Sequence, residues 1–228
     1  MDLNMINKIN LYDYKGFQIL HYDTSFESKL LQAYCTINDI ELKRVSLQDN
    51  LIDYIPCGSV EWCIFLLGKN LEPNYYPSFL KEYLHRKIWK QDKWILNKKL
   101  FVKPADKYKR FTGFVTYGTY AKKKKPPLIW SEVVRFKNEW RYYISKGKVL
   151  CSGWYWGDEI NTPEAPELPM SLPSNYSGAL DFGIIDEDKF CLVESQHPFA
   201  CGCYTSQSEF HLYLQWLIEG WLYLIKLS

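Results

Sequence analysis

The strongest constraint on the fold is a change of texture near Lys99. Upstream, apolar residues alternate between strand and helix spacing; downstream, the chain breaks into short β-prone runs punctuated by Gly and Pro. That pattern predicts an α+β protein: a small α/β lobe over residues 1–96, then a sheet-rich remainder over 97–228. At 228 residues the chain can bury a real core without disulfide staples. Its 28 basic and 26 acidic residues nearly cancel, which argues against a dedicated nucleic-acid binder, although local patches survive that argument. The seven cysteines are odd in number and scattered, so they read as reduced and intracellular. Cys201 and Cys203 form a C-x-C without a second pair at zinc spacing, a weak metal signal. The first ten residues lack the basic and apolar stretches of a signal peptide. The apolar segment 210–227 is interrupted by Gln215, Glu219 and Lys226, so it reads as a buried terminal helix opened near Ser206 and Ser208 rather than a membrane span. A cytoplasmic location is expected.

Along the first lobe, residues 9–22 read as two strands turning at Lys15-Gly16, and residues 25–37 as a helix. Residues 40–45 read as a strand, and 58–67, nearly continuous in apolar residues, as a central one. Beyond Pro73 and Pro77 a helix is expected over 78–89. In the second part, strands are expected at 100–103 and 114–117, with a basic loop, 107–113, between them. Segments 129–136 and 139–145 read as a hairpin turning at Lys137-Asn138, followed by a strand at 148–155. Four prolines make 157–178 an irregular loop, after which 179–185 and 190–194 flank a turn at 186–188.

Three segments place charge where strands should bury apolar residues. In FVKPADKYKRFTG, Lys103 ends a strand before Pro104, and Lys109 precedes Thr112-Gly113; both could reach nucleotide phosphates, and both equally fit ordinary exposed lysines. In SEVVRFKNEWRYYI, alternation gathers Arg135, Glu139 and Arg141 on one face, which is also how a solvated antiparallel sheet reads. In LDFGIIDEDKFCLVESQ, Asp181 and Glu194 fall on two runs joined by a tight turn and could lie side by side. Paired carboxylates call for a cation between them, and oxygen ligands suit magnesium held with phosphates. The plainer alternative is one structural carboxylate and one turn acid. His197, before Pro198, reads as a packing residue rather than a general base, and the nearby cysteines have no base partner in sequence.

Taken in order, these segments resemble an ATP-grasp domain, most closely the small phage- and bacterium-associated ATP-grasp proteins. The leading IPCGSVEWC and PNYYPSFLKEYLHRKIW stretches share in that resemblance. It implies two α/β lobes clasping a nucleotide, with a short, atypical N-terminal lobe. Lys103 resembles the family's phosphate-binding lysine, and Lys109, Thr112 and Gly113 its glycine loop. Glu132 and Val134 resemble a hinge meeting adenine through its backbone, while Glu139 and Arg141 lie on the acid-x-arginine strand of the sheet floor. Asp181, Glu194 and Gln196 resemble the magnesium ligands. Gln196 departs from the asparagine usual there, lengthening that ligand by one methylene.

What the resemblance implies is an ATP- and magnesium-dependent carboxylate–amine ligase, with Lys103 and Arg141 in catalytic roles and small molecules, peptides or proteins as substrates. Gln196 and the short first lobe keep a rival alive, a catalytically inactive ATP-grasp module that binds a nucleotide or a partner. A nucleic-acid binder, resting on Lys122, Lys123, Lys124 and Lys125 and on nine Trp, 18 Tyr and 12 Phe, is the third class considered. The loop 107–113 is expected to order over bound phosphates, because its basic residues would repel one another in an empty site.

Overall fold

A computed structural model describes residues 9–107, 110–118, 127–157 and 163–226. The basic run 122–125, Lys109 and the start of the proline-rich loop lie outside the described residues.

The N-terminal part is a parallel sheet, ordered β2-β1-β3, with β1 at Gly16–Leu20, β2 at Glu41–Val45 and β3 at Tyr54–Pro56. Every residue of β1 is buried, as a central parallel strand requires. The hairpin expected around Lys15-Gly16 is therefore not formed. Gly16 instead opens a strand that runs parallel to both neighbours, and a Cβ there would stand 2.0 Å from the Glu41 carbonyl oxygen.

Helix α1 (Phe26–Ile37) begins where Ser25 accepts the Ser28 N–H, close to the expected 25–37. The segment expected as a central strand at 58–67 is helix α2 (Val60–Leu67). An unbroken apolar run carries no period that distinguishes the two, so its ends decide: Ser59 caps the Trp62 N–H, and Gly68 closes the helix at φ +64°.

The expected helix at 78–89 is replaced by a short 3-10 turn (Ser78–Tyr83) and strand β4 (Ile88–Lys90). Strand β4 joins a four-stranded antiparallel sheet, β4-β7-β5-β6, with β5 at Leu100–Pro104, β6 at Phe114–Thr116 and β7 at Leu128–Ser131. A second antiparallel sheet, ordered β11-β10-β8-β9, contains β8 (Asn138–Ser145), β9 (Lys148–Trp156), β10 (Gly178–Ile184) and β11 (Phe190–Gln196).

The hairpin expected between 129–136 and 139–145 does not form. Strand β7 pairs with β4 and β5, whereas β8 pairs with β9 and β10, so residues 132–137 carry the chain from one sheet to the other. Both halves have strand-forming sequences, and their separate partners outweigh the local turn at Lys137-Asn138.

Helix α3 (Phe210–Lys226) is the wedge of the molecule. Phe210, Leu214, Leu217 and Leu224 share one core with Phe17, Ile19 and Ile55 of the parallel sheet and with Tyr143 and Ala179 of the second antiparallel sheet. Its Trp216 indole N–H donates to the carbonyls of Ile144 (3.2 Å) and Gly178 (3.1 Å). Gly220 permits close approach, since a Cβ there would lie 1.7 Å from the Pro198 carbonyl oxygen. No helix among the described residues is long and apolar enough to cross a membrane.

Candidate functional site

Strand alternation sorts the second antiparallel sheet into two unlike faces. Trp140, Tyr142, Leu180 and Phe182 pack into one apolar cluster. The residues between them, Glu139, Arg141 and Asp181, therefore emerge together on the opposite face. Arg141 sits directly across from Asp181, and Asp181 across from Glu194.

The guanidinium of Arg141 binds Asp181 bidentately, Nε to Oδ1 at 2.7 Å and Nη2 to Oδ2 at 2.8 Å, with both side chains buried. Its plane lies 5.6 Å from the Tyr155 ring centre and 5.1 Å from that of Tyr204. Burial opposes its charge, but the Asp181 carboxylate outweighs this and holds the guanidinium well above its usual range. The Gln196 amide nitrogen then donates to both acids, 3.3 Å to Asp181 Oδ2 and 2.6 Å to Glu194 Oε1. Asp181 and Glu194 thus converge on one point. Among the described residues no three His, Cys, Asp or Glu side chains form a metal-holding group, so the oxygen-rich set here is two carboxylates and one amide.

Glu139 stands close by and accepts a hydrogen bond from the Tyr155 hydroxyl. Burial raises its carboxyl above the usual range, Tyr155 works against that, and Asp181 and Glu194 add to the rise. Glu139, Asp181 and Glu194 share this face with two cations, the Arg141 guanidinium paired with Asp181 and the Lys103 ammonium paired with Glu194.

Lys103 comes from the other antiparallel sheet. It lies near the end of β5 opposite Ile129 and reaches across to Glu194 Oε2 at 2.5 Å. Its ammonium lies 3.9 Å above the Tyr75 ring and 4.8 Å above that of Tyr76. Burial pushes its pKa down, but Glu194 and Tyr76 push it up further, so the lysine stays charged. Gly113 lies against this strand: a Cβ there would be 2.4 Å from Phe101 Cζ and 3.2 Å from Lys103 Cβ. Thr112 is exposed on the same loop.

Two of the loop's basic residues have partners. Lys107 donates to the Asn70 side chain, and Arg110 pairs with Asp106 at 2.5 Å. Glu132 is similarly committed: its N–H donates to the Lys87 carbonyl and its carboxylate accepts the Lys87 N–H, each at 3.0 Å. Val134 is half-buried in the crossing between the sheets.

Two further contributors lie outside the three charged segments, in the PNYYPSFLKEYLHRKIW stretch, where no role is assigned to either from sequence. Arg86 donates to the Leu192 carbonyl at 2.7 Å and the Val193 carbonyl at 3.1 Å, and its guanidinium lies 5.7 Å from the Phe136 ring centre. It ties the approach to β4 to strand β11. Tyr75 accepts the Ser195 N–H through its carbonyl at 2.8 Å and donates its hydroxyl to the Asp106 carbonyl at 3.0 Å. The Pro73 and Pro77 bracket around an aromatic pair was the available signal. His197 stacks on Phe199 at 5.4 Å, a packing role. Burial raises the Cys203 thiol to about 12, unsuited to a nucleophile, and none of the seven cysteines is in a disulfide.

A family model for an ATP-grasp domain, the second family of its clade, matches residues 83–214, more than half of the chain. The chain belongs to the ATP-grasp family. The match spans Lys103, Arg141, Asp181, Glu194 and Gln196 and leaves the parallel sheet outside it.

Among solved structures, the ATP-grasp fold is shared with an N5-carboxyaminoimidazole synthase from Aspergillus clavatus, complexed with ADP and 5-aminoimidazole ribonucleotide. The TM-score is 0.50 at 12% identity, over 88% of this chain and 76% of that one. The ATP-grasp ligase PsnB, complexed with a minimal precursor, gives 0.48 at 9% identity over 89% and 100%. A D-alanine–D-alanine ligase from Bacillus anthracis, complexed with ATP, gives 0.47 at 13% over 93% and 99%. No curated protein sequence compared with the chain matches it.

Proposed function

We propose that the chain is an ATP-dependent, ADP-forming carboxylate–amine ligase working through an acyl phosphate. The observation that carries this reading is the meeting of Lys103, from one sheet, with Asp181, Glu194 and Gln196, from the other. Residues 97–228 would supply the nucleotide-binding lobes and residues 1–96 the smaller lobe, with β4 reaching over into the first antiparallel sheet.

Asp181, Glu194 and the amide oxygen of Gln196 would hold magnesium, which fits because the Gln196 nitrogen already occupies the point both carboxylates face. Magnesium held by these residues would supply neutralisation of charge on the transferring phosphoryl group. Lys103 would exchange Glu194 for a phosphate oxygen, and Arg141 would remain in place as a fixed positive charge behind Asp181. Thr112 and Gly113, with Lys109, would close over the phosphates. Glu132 and Val134 would meet adenine through their backbone at the crossing between the sheets, and Glu139 would serve as a ribose or metal-side partner. A substrate carboxylate attacks the γ-phosphorus and ADP leaves; an amine then displaces phosphate from the acyl carbon. Incubation with ATP, magnesium and an amino-acid mixture is expected to yield ADP in proportion to amide formed. Binding of ATP with no ADP over hours would refute the ligase reading.

That outcome belongs to the second reading, a nucleotide-binding module without transfer. The engagement of both Asp181 oxygens by Arg141 favours it, since magnesium must then share them.

A further inference from the structure

The near-zero total charge conceals a separation of sign. Residues 86–127, which hold three of the four strands of the first antiparallel sheet, carry 14 of the chain's 28 basic residues and two of its 26 acidic ones; the rest of the chain carries 14 basic and 24 acidic. A nucleotide site accounts for only part of this excess. Lys103, Lys107, Lys109 and Arg110 belong to the proposed phosphate-binding part, and Arg86 is tied to the carbonyls of β11. The segment 87–99 is separate. It holds five lysines, Lys87, Lys90, Lys93, Lys98 and Lys99, all exposed, against one acid, Asp92. Among the described residues none of the five forms an ion pair. A lysine protects a sheet edge, which accounts for Lys90 on β4, but Lys93, Lys98 and Lys99 lie outside any strand.

Those three lysines belong to the connection between β4 and β5. Its Trp94 and Ile95 pack on Leu100, Val102, Leu128 and Trp130, and alternation along β5 turns that face of the sheet away from Lys103. Lys98 and Lys99 precede the first residue of β5, about 10 Å of strand or more from Lys103. The chain leaving β6 is brought to the same place. The Asn97 N–H donates to the Tyr117 carbonyl at 3.1 Å, and a Cβ on Gly118 would lie 2.6 Å from the Ile95 carbonyl oxygen. Leu96 is 55% exposed and Tyr117 59%. An open aromatic ring and an aliphatic side chain therefore stand beside lysines that no acid neutralises.

We propose that this surface binds single-stranded nucleic acid along its phosphate backbone, with Tyr117 stacking on a base. The proposal goes beyond the ligase reading and does not depend on it. Lysines attract phosphates as point charges without reading sequence, and an exposed ring is a stacking platform that accepts any base. An acidic protein would satisfy the lysines but give Tyr117 no flat partner. The acidic remainder of the chain repels the same polyanion and so confines it to this sheet.

Fluorescence anisotropy of a labelled oligouridylate of about 20 nucleotides, titrated with the full chain in the absence of ATP, reads the surface. Saturable binding is expected, weakening at least 20-fold or so from about 50 to about 200 mM salt. The triple variant Lys93→Gln/Lys98→Gln/Lys99→Gln should bind roughly tenfold more weakly at low salt, and its slope of log affinity against log salt should be shallower by about two. Tyr117→Ala should weaken binding about fivefold or more with the slope unchanged, because it removes stacking and no charge. Both variants should melt as the native chain does, since every substituted side chain is exposed. Saturating ATP and magnesium at matched ionic strength should leave the oligonucleotide bound; displacement would place binding in the nucleotide site and overturn the proposal. Polyglutamate competing as well as unlabelled oligouridylate at equal charge would assign the surface to an acidic protein and overturn it too. So would an absence of saturable binding, or native affinity in either variant. ADP formation is read separately: a chain that binds oligouridylate in this way but never forms ADP refutes the ligase reading alone, and one that forms ADP but ignores oligouridylate refutes this surface alone.

Discussion

Replacing Lys103 with methionine separates charge from volume at the centre of the site. Most of the side-chain volume beside Tyr75 and Tyr76 survives, while the ammonium's place over the two rings and its bond to Glu194 are lost. The Lys103 and Glu194 side chains are 9% and 16% exposed, so this is a buried pair, and removing one member of such a pair costs about 3–5 kcal/mol. The lower end applies, because Gln196 still donates to Glu194 Oε1. For a chain of this size, about 3 kcal/mol lowers the melting temperature by roughly 6–12 °C. Adding Glu194→Gln removes the stranded charge and should restore most of that loss. Nucleotide binding moves independently: losing a charged phosphate contact is expected to weaken ATP–magnesium affinity by roughly 10- to 100-fold. Differential scanning calorimetry and titration calorimetry on the single and double variants read the two effects. Unchanged ATP affinity in folded Lys103→Met would refute the phosphate role. A melting shift that the double variant does not recover would refute the ion pair as the source of the stability.

Gln196→Ala should raise the magnesium concentration needed for half-maximal ADP formation about tenfold, while Gln196→Asn should stay close to the native chain; activity against magnesium concentration at saturating ATP checks both. Arg141→Lys keeps the charge but loses the bidentate geometry, so melting should fall by several degrees and any turnover by tenfold or more. The raised Glu139 carboxyl means the folded chain holds that proton more tightly than the unfolded one. Its contribution is therefore full below the ordinary glutamate pKa and is lost as pH rises through the folded value, and Glu139→Gln should remove that part of the decline in a melting-against-pH profile. Hydrogen exchange over residues 105–114 should slow when ATP and magnesium are added, and identical exchange with and without nucleotide would refute the role of that loop.

Period-2 alternation made the charged sheet face legible, because Glu139, Arg141 and Asp181 interrupt strands whose other positions are apolar. The tight turn between β10 and β11 likewise set Asp181 and Glu194 opposite each other before any coordinates. What the chain concealed was of two kinds. Local ambiguity hid α2, since an eight-residue apolar run has no period to read and its caps decide the outcome. Long-range partnership hid the rest: nothing local shows that β7 and β8 belong to different sheets, or that Arg86 reaches carbonyls more than a hundred positions away.

The two antiparallel sheets are joined by opposite charges and by the Tyr75–Tyr76 segment, whose Tyr76 packs against an apolar cluster on each side. Leu100, Val102, Leu128 and Trp130 form one cluster, and Trp140, Leu180 and Phe182 another. Between the sheets stand Lys103 and Glu194, with the Tyr75–Tyr76 segment spanning them and Arg86 holding the edge. An apolar interface alone would lock the sheets together, whereas an ion pair can be exchanged: on the proposed reading a phosphate would take the lysine and a cation the carboxylate, with little net change in buried charge. The same logic explains the placement of Arg141 behind Asp181. That pair lies within a single sheet, on adjacent strands, so it fixes one carboxylate in position while Lys103 and Glu194 are free to change partners. If the proposed roles hold, one half of the site would stay rigid while the other half would respond to nucleotide, a division that follows from which strands carry each charge.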